Sequence, residues 1–233
     1  MDDSLVRKLV ELNTEFYAGF ADPFAASRST PQPGFARLLE YLPNTPLSVL
    51  DVGCGNGRFG RFLHNAGLLR SYVGVDVTPT LMAKIVEFEG ELFVRDISLP
   101  DSLRELGKFD LVVCLATLQH IPGQSTRLRL VRELATHLEP AGFLAFSNWQ
   151  FLSDPRQRRK IRPWASVGID QAQLETNDFL LSWDRGGSGV RYVAHLDGEA
   201  TEEMAKLAEL HVVNQFTSDG REGDLNLYTV LAG

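Results

Sequence analysis

The chain has 233 residues, 44% hydrophobic and 23% charged, enough to bury a full core as one elaborated domain, 1–233, and too apolar for a disordered or low-complexity polymer. Thirty acidic against twenty-three basic side chains leave a net charge of -7, which disfavours a body that coats nucleic acid through a general field. Two cysteines, Cys54 and Cys114, are too few for a disulfide scaffold, the start MDDSLVRKLV is acidic, and nowhere do eighteen apolar residues run together; a soluble, cytoplasmic protein with free thiols and no membrane contact is expected.

Leu5, Leu9, Leu12, Phe16 and Phe20 recur at helical spacing and predict one amphipathic helix that ends before Pro23. The stretch 21–34, with three prolines, reads as a connector, and FARLLEYL as a short helix stopped by Pro43, so that residues 1–46 make a helical cap. From Ser48 onward, apolar runs of strand length alternate with helical patterns. The predicted strands are 47–52, 71–76, 91–96, 109–116 and 142–148, with helices from about 57 to 65, from near Pro79, and from about 126 to 138, the last stopped by Gly142. LHVVNQFTS and LNLYTVL, separated by DGREGD, predict a closing antiparallel hairpin. The fold class is therefore α/β: a doubly wound, Rossmann-like sheet of seven strands, five parallel plus the hairpin, with helices on both faces. Residues 150–198 interrupt the alternation, because Trp164, Trp183, the GGSG at 186–189 and RQRRKIR fit neither period. Such an insert shapes a substrate site or packs as a lid over the sheet edge.

The strongest motif is LDVGCGNGRFG, in which Asp51 ends a buried strand and Gly53, Gly55 and Gly57 follow at every second position before a helix. Side chains there would keep a ligand off the backbone, so the spacing permits close approach to a helix N-terminus. Nineteen residues after Gly57 comes Asp76, at the end of the second strand, where a carboxylate can accept both hydroxyl hydrogens of a ribose. Asp96 closes the third strand, beside where an adenine amine would lie. Singly, each glycine can be a plain turn and each acid the cap of the next helix; the ordered set points to a nucleoside. GNGRFG (55–60) also satisfies the dinucleotide pattern, but its first glycine lies three residues past the strand and the Asp51 carboxylate would repel a pyrophosphate. The same carboxylate suits an ammonium, which S-adenosylmethionine carries together with a ribose and an adenine.

Over about residues 47–148 and the terminal hairpin, the sequence resembles the class I S-adenosylmethionine-dependent methyltransferases. The resemblance implies S-adenosylmethionine as cofactor, held by Asp51, Gly53, Cys54, Gly55, Asn56 and Gly57 at its methionine moiety, by Asp76 and Val77 at the ribose and adenine, and by Asp96 with Ile97. Within FDLVVCLATLQHIPG it places Leu115 at the cofactor and His120 just beyond. A narrower likeness, to the methyltransferases that esterify a carboxymethyl group on the tRNA wobble uridine and to their bacterial relatives, rests on FYAGFADPFAASRSTPQPG, LQHIPG, SNWQF, RYVAHL and GREGDLNLY. It implies that Ser27 and Arg28 lie close to the cofactor, with Tyr17 packing nearby. Ala194 interrupts the family's Arg-Tyr-aromatic-His pattern at Arg191, Tyr192 and His195, and Leu227 and Tyr228 stand where a double aromatic is usual.

Methyl transfer from a sulfonium is a direct displacement that asks for alignment rather than a covalent catalyst. For an acceptor carboxylate, Arg191 and Tyr192 are the orienting candidates, against an ordinary ion pair for Arg191; for a hydroxyl or amine, His120 or His195 is the candidate base, against a structural role for His120. No Asn/Asp-Pro-Pro-aromatic segment and no Pro-Cys nucleophile follows the fourth strand, which argues against exocyclic amine methylation by that route and against attack at carbon five of a pyrimidine. The five histidines do not cluster at metal spacing, so no metal is expected. Arg156, Arg158, Arg159, Lys160 and Arg162, flanked by Trp149, Phe151 and Trp164, could take an RNA loop or form a solvated face. Three classes stay open: a methyltransferase of a small metabolite, one acting on tRNA, and an NAD-dependent or non-catalytic nucleoside-binding protein of the same topology.

Overall fold

The computed structural model describes residues 1–26, 30–184 and 186–233. In chain order the principal elements are α1 (Asp3–Gly19), α2 (Ala21–Ala26), α3 (Pro33–Leu39), β1 (Leu47–Val52), α4 (Arg58–Asn65), β2 (Leu69–Asp76), α5 (Pro79–Met82), β3 (Glu91–Val94), β4 (Phe109–Leu115), α6 (Gln124–Thr136), β5 (Leu138–Trp149), α7 (Pro155–Arg158), β6 (Ile161–Arg162), β7 (Asp178–Trp183), β8 (Gly189–Ala194), α8 (Gly198–Leu207), β9 (His211–Ser218) and β10 (Asn226–Ala232). The main sheet runs β3-β2-β1-β4-β5-β10-β9, with the first five strands parallel and β10 antiparallel to both its neighbours. Strands β1 and β4 are apolar almost throughout because both faces are covered, as a parallel sheet requires. Leu50, Val52 and Val112 meet α1, α6 and α8 on one face, while Val49, Leu111 and Val113 meet α3 and α4 on the other.

Several expectations change. The N-terminal helix does end before Pro23, at Gly19, but the stretch after it is not all connector: a short second helix, α2, contains Pro23 in its first turn, where a missing N–H breaks no bond. The segment near Pro79 makes a single helical turn. Gly142 does not stop α6, which ends at Thr136; it lies inside β5, where a Cβ would come within 2.9 Å of the Phe109 carbonyl. Strand β3 stops at Val94, which leaves Asp96 in the following turn. The region 150–198 is not aperiodic: it contains a second, antiparallel sheet, β6-β7-β8. Phe151 and Trp164 are buried in the folded chain, so they offer no face on which a base could stack.

A buried side chain of α1 helps to fasten that second sheet. Buried Asn13 accepts from the Tyr192 N–H (2.8 Å) and donates to the Tyr192 and His120 carbonyls (3.2 and 3.1 Å). An amide with both donor and acceptor satisfied is what makes a polar residue tolerable on the apolar stripe of α1.

Candidate active site

At the carboxyl ends of β1, β2 and β4 a cavity opens, the position where open α/β sheets bind ligands. Asp51, Gly53, Cys54, Gly55 and Asn56 line one part of it, Asp76, Val77, Asp96 and Ile97 another, and Tyr17, Leu115, His120 and Trp149 a third. Gly57, Arg191, Tyr192 and His195 are outside the lining. Arg28, with Ser27, falls outside the described residues.

The three glycines of the loop differ in kind. All have positive φ (78°, 53° and 66°). A Cβ on Gly53 would overlap the Thr117 side chain, and one on Gly57, the N-cap of α4, would come within 2.8 Å of Ile85. A Cβ on Gly55 would meet no protein atom within 4 Å, so that glycine alone is kept bare for what the cavity holds.

Asp51 is buried, accepts from the Tyr72 hydroxyl (2.9 Å), and burial pushes its carboxyl up to about 7; Tyr72 opposes the shift, and the Asp76 charge adds to it. Asp76 accepts from the Gly55 and Thr78 N–H groups at 2.9 and 2.8 Å, one on each oxygen, and burial pushes it up as well. Each oxygen keeps a lone pair for a further donor. Asp96 accepts from Ser98 N–H and Oγ (2.8 and 2.6 Å), both on one oxygen. Burial raises the Cys54 and Cys114 thiols, so neither is poised as a nucleophile.

At the third part of the cavity, Tyr17 Oη lies 2.9 Å from His120 Nε2, and His120 Nδ1 lies 3.1 Å from the Tyr192 carbonyl. Behind them Arg191 is buried, its guanidinium 4.5 Å from the Trp149 ring centroid, 5.0 Å from Phe16 and 5.3 Å from Trp183, with Nη1 3.5 Å from Tyr17 Oη. It has no ion-pair partner among the described residues, and burial lowers its pKa. The surface ion pair considered for Arg191 is thus not formed. The Tyr192 hydroxyl points elsewhere, donating to Asp178 (2.6 Å) and accepting from Arg127 (3.1 Å). His195 packs edge-on against Phe151, and burial lowers its pKa. Asn13 and Thr117 were not singled out from the sequence, and Trp149 only as a ring flanking the basic run; of the first two, Asn13 alone gave a signal there, as a polar residue four positions after Leu9.

Acids at the ends of β1 and β2 and in the turn after β3, around a loop left open at Gly55, define a Rossmann-like nucleoside-binding protein. Residues 25–176 match the methyltransferase-domain family. The chain is 32% identical over 179 residues to a tRNA (carboxymethyluridine(34)-5-O)-methyltransferase of Arabidopsis thaliana, covering 70% of this chain but only 42% of that protein. It is 29% identical over 193 residues to the ubiquinone biosynthesis O-methyltransferase of Pseudomonas paraeruginosa, covering 75% and 78% of the two chains. A Burkholderia thailandensis 1,6-didemethyltoxoflavin-N1-methyltransferase, solved with S-adenosylhomocysteine, shares the fold at a TM-score of 0.67 and 14% identity, over 100% of this chain and 90% of that one. The chain belongs to the methyltransferase-domain family, as a class I S-adenosylmethionine-dependent enzyme. Its cavity fits that cofactor on three counts: the open face of Gly55, a carboxylate at Asp51 for an ammonium, and spare lone pairs on Asp76 for ribose hydroxyls. Among the described residues no three His, Cys, Asp or Glu side chains gather as metal ligands, and no helix is long and apolar enough to cross a membrane.

Proposed function

We propose that the chain transfers a methyl group from S-adenosylmethionine to an oxygen of a small acceptor that enters between α1, His120 and Trp149. The observation that carries this is the cavity's composition: acids and bare backbone at one part, a hydroxyl–imidazole pair backed by a caged cation at another. In this reading Asp51, the glycine loop with Cys54 and Asn56, Asp76, Val77, Asp96, Ile97 and Leu115 hold the cofactor, and segments 1–46 and 150–198 together cover the acceptor. The ubiquinone O-methyltransferases support an oxygen acceptor. Calorimetry with S-adenosylhomocysteine tests the cofactor part: micromolar uptake by the wild type, lost in Asp76→Ala, is expected. Uptake of NAD instead would point to the dehydrogenase alternative.

A second reading, methyl transfer to a carboxymethylated tRNA wobble uridine, draws on the plant relative and on the exposed Arg156, Arg158 and Arg159. Tritium transferred from the cofactor into tRNA rather than into a metabolite extract would favour it.

A further inference from the structure

We infer that Tyr17, His120 and Arg191 form a proton relay, and that the acceptor is a hydroxyl compound, an alcohol or phenol whose O–H meets Tyr17. This rests on the methyl-transfer reading above and adds the acceptor's protonation state. The direction of the hydrogen bonds decides it. A carbonyl only accepts, so His120 Nδ1, 3.1 Å from the Tyr192 carbonyl, carries the ring proton, and Nε2 presents a lone pair. Tyr17, at 2.9 Å, therefore donates to Nε2, and the Gln119 amide approaches the same nitrogen at 3.4 Å. With its one proton committed, Tyr17 offers only lone pairs to the cavity it lines. A carboxylate placed there would meet them lone pair to lone pair; an O–H would donate.

Arg191 completes the chain without entering the cavity. Phe16, Trp149 and Trp183 hold its guanidinium, no carboxylate pairs with it among the described residues, and its Nη1 points at Tyr17 Oη from 3.5 Å. Its Nε is buried with no hydrogen-bond partner among the described residues. A cation that costs this much to bury is placed where negative charge grows on the Tyr17 oxygen during the reaction. The same strand, β8, supplies both this guanidinium and the Tyr192 carbonyl, and Asn13 fixes that stretch of backbone. Among the described residues, the titratable groups facing His120 are Tyr17 from α1 and, through it, Arg191 from β8; Asp51, Asp76 and Asp96 share the cavity from the strand ends.

The step balances. As the acceptor oxygen bonds to the methyl carbon, the C–S bond breaks and its electron pair stays on sulfur. The acceptor proton passes to Tyr17 Oη, the Tyr17 proton passes to His120 Nε2, and the imidazolium later returns one proton to solvent. Tyr17 is the residue that touches the acceptor; Arg191 is a positioning residue.

The test uses 4-hydroxyphenylacetate and 3,4-dihydroxybenzoate, which carry a phenol and a carboxylate on one molecule, with tritium-labelled cofactor. Methyl ethers keep their label in alkali, whereas methyl esters release it as methanol. Alkali-stable label is expected, with a rate lowered about a hundredfold in Tyr17→Phe. With cofactor saturating, so that Asp51 drops out of the profile, the loss of rate at low pH should disappear in His120→Gln, and Arg191→Lys should keep more activity than Arg191→Met. All four variants should retain S-adenosylhomocysteine affinity, and the Phe variant keeps the ring contacts with Phe16 and Phe24. Alkali-labile label, an undiminished Tyr17→Phe rate, or no label in either probe from a chain that binds S-adenosylhomocysteine overturns the relay and leaves the cofactor reading standing. Failure of the wild type to bind S-adenosylhomocysteine removes that reading and the relay with it.

Discussion

Asp51 shows how a single buried carboxyl couples ligand to pH. Burial raises it to about 7, with Tyr72 as its hydrogen-bond donor. A raised acid stabilises the fold where it is protonated: the contribution is fully present below its ordinary value of 3.8 and is lost as pH rises through 7. An ammonium-bearing ligand needs the opposite, ionised form. Between pH 8 and pH 6 the unliganded chain should therefore gain thermal stability while S-adenosylhomocysteine affinity falls by about tenfold. Calorimetry and melting curves at the two pH values check both signs, and Asp51→Asn should flatten both. Asn13 makes a second case. Asn13→Leu would suit the apolar stripe of α1 yet strand the buried Tyr192 N–H, costing about 2 kcal/mol in denaturant melts. Its place on the stripe is legible in the sequence; its partner, 179 residues away, is not.

At the scale of elements, the glycine loop separates folding from binding. Gly53→Ala combines positive φ with an overlap on Thr117, so about 3 kcal/mol of stability should be lost. Gly55→Ala pays the φ strain alone, about 1 kcal/mol, but puts a methyl into the cavity, so S-adenosylhomocysteine affinity should fall far more than stability. Measuring melting and ligand titration on both variants checks the contrast. The loop and the strand before it are plain in the sequence because β1 and β4 are buried on both faces and read as largely apolar runs. The second sheet is hidden for a related reason. Strand β8 ends in four buried residues, since α1 covers one of its faces, so the period-two alternation of a half-exposed strand never appears; β6 is only two residues long. In the cavity's third part the family resemblance points to Tyr17, Leu115 and His120, but their meeting with Trp149 is hidden, because α1, the turn after β4 and the end of β5 come together only once the chain is folded.

For the whole molecule, charge bears on which acceptor can approach. A net charge of -7 repels RNA at a distance, and the exposed cations of the basic run, Arg156, Arg158 and Arg159, stand against that field beside Asp154, which pairs with Arg156 at 3.3 Å. Of the rings that flank the run in sequence, Phe151 and Trp164 are 1% and 6% exposed and Trp149 lies against Arg191 in the cavity wall, so stacking adds little to make up the deficit. Three phosphate contacts give a binding slope against salt of only about -2 to -3 on logarithmic axes, with little affinity left at physiological ionic strength. Filter binding of bulk tRNA should accordingly vanish by about 0.15 M salt, where the Debye length has shrunk to roughly 8 Å. Reversing the three arginines to glutamate should leave methylation of the phenolic probes within about twofold, because the run lies outside the cavity lining and charge at that range is screened. If instead tRNA stays bound at that salt and the triple reversal abolishes both its binding and its methylation, the lid's outer face is a nucleic-acid surface and the small-acceptor reading gives way.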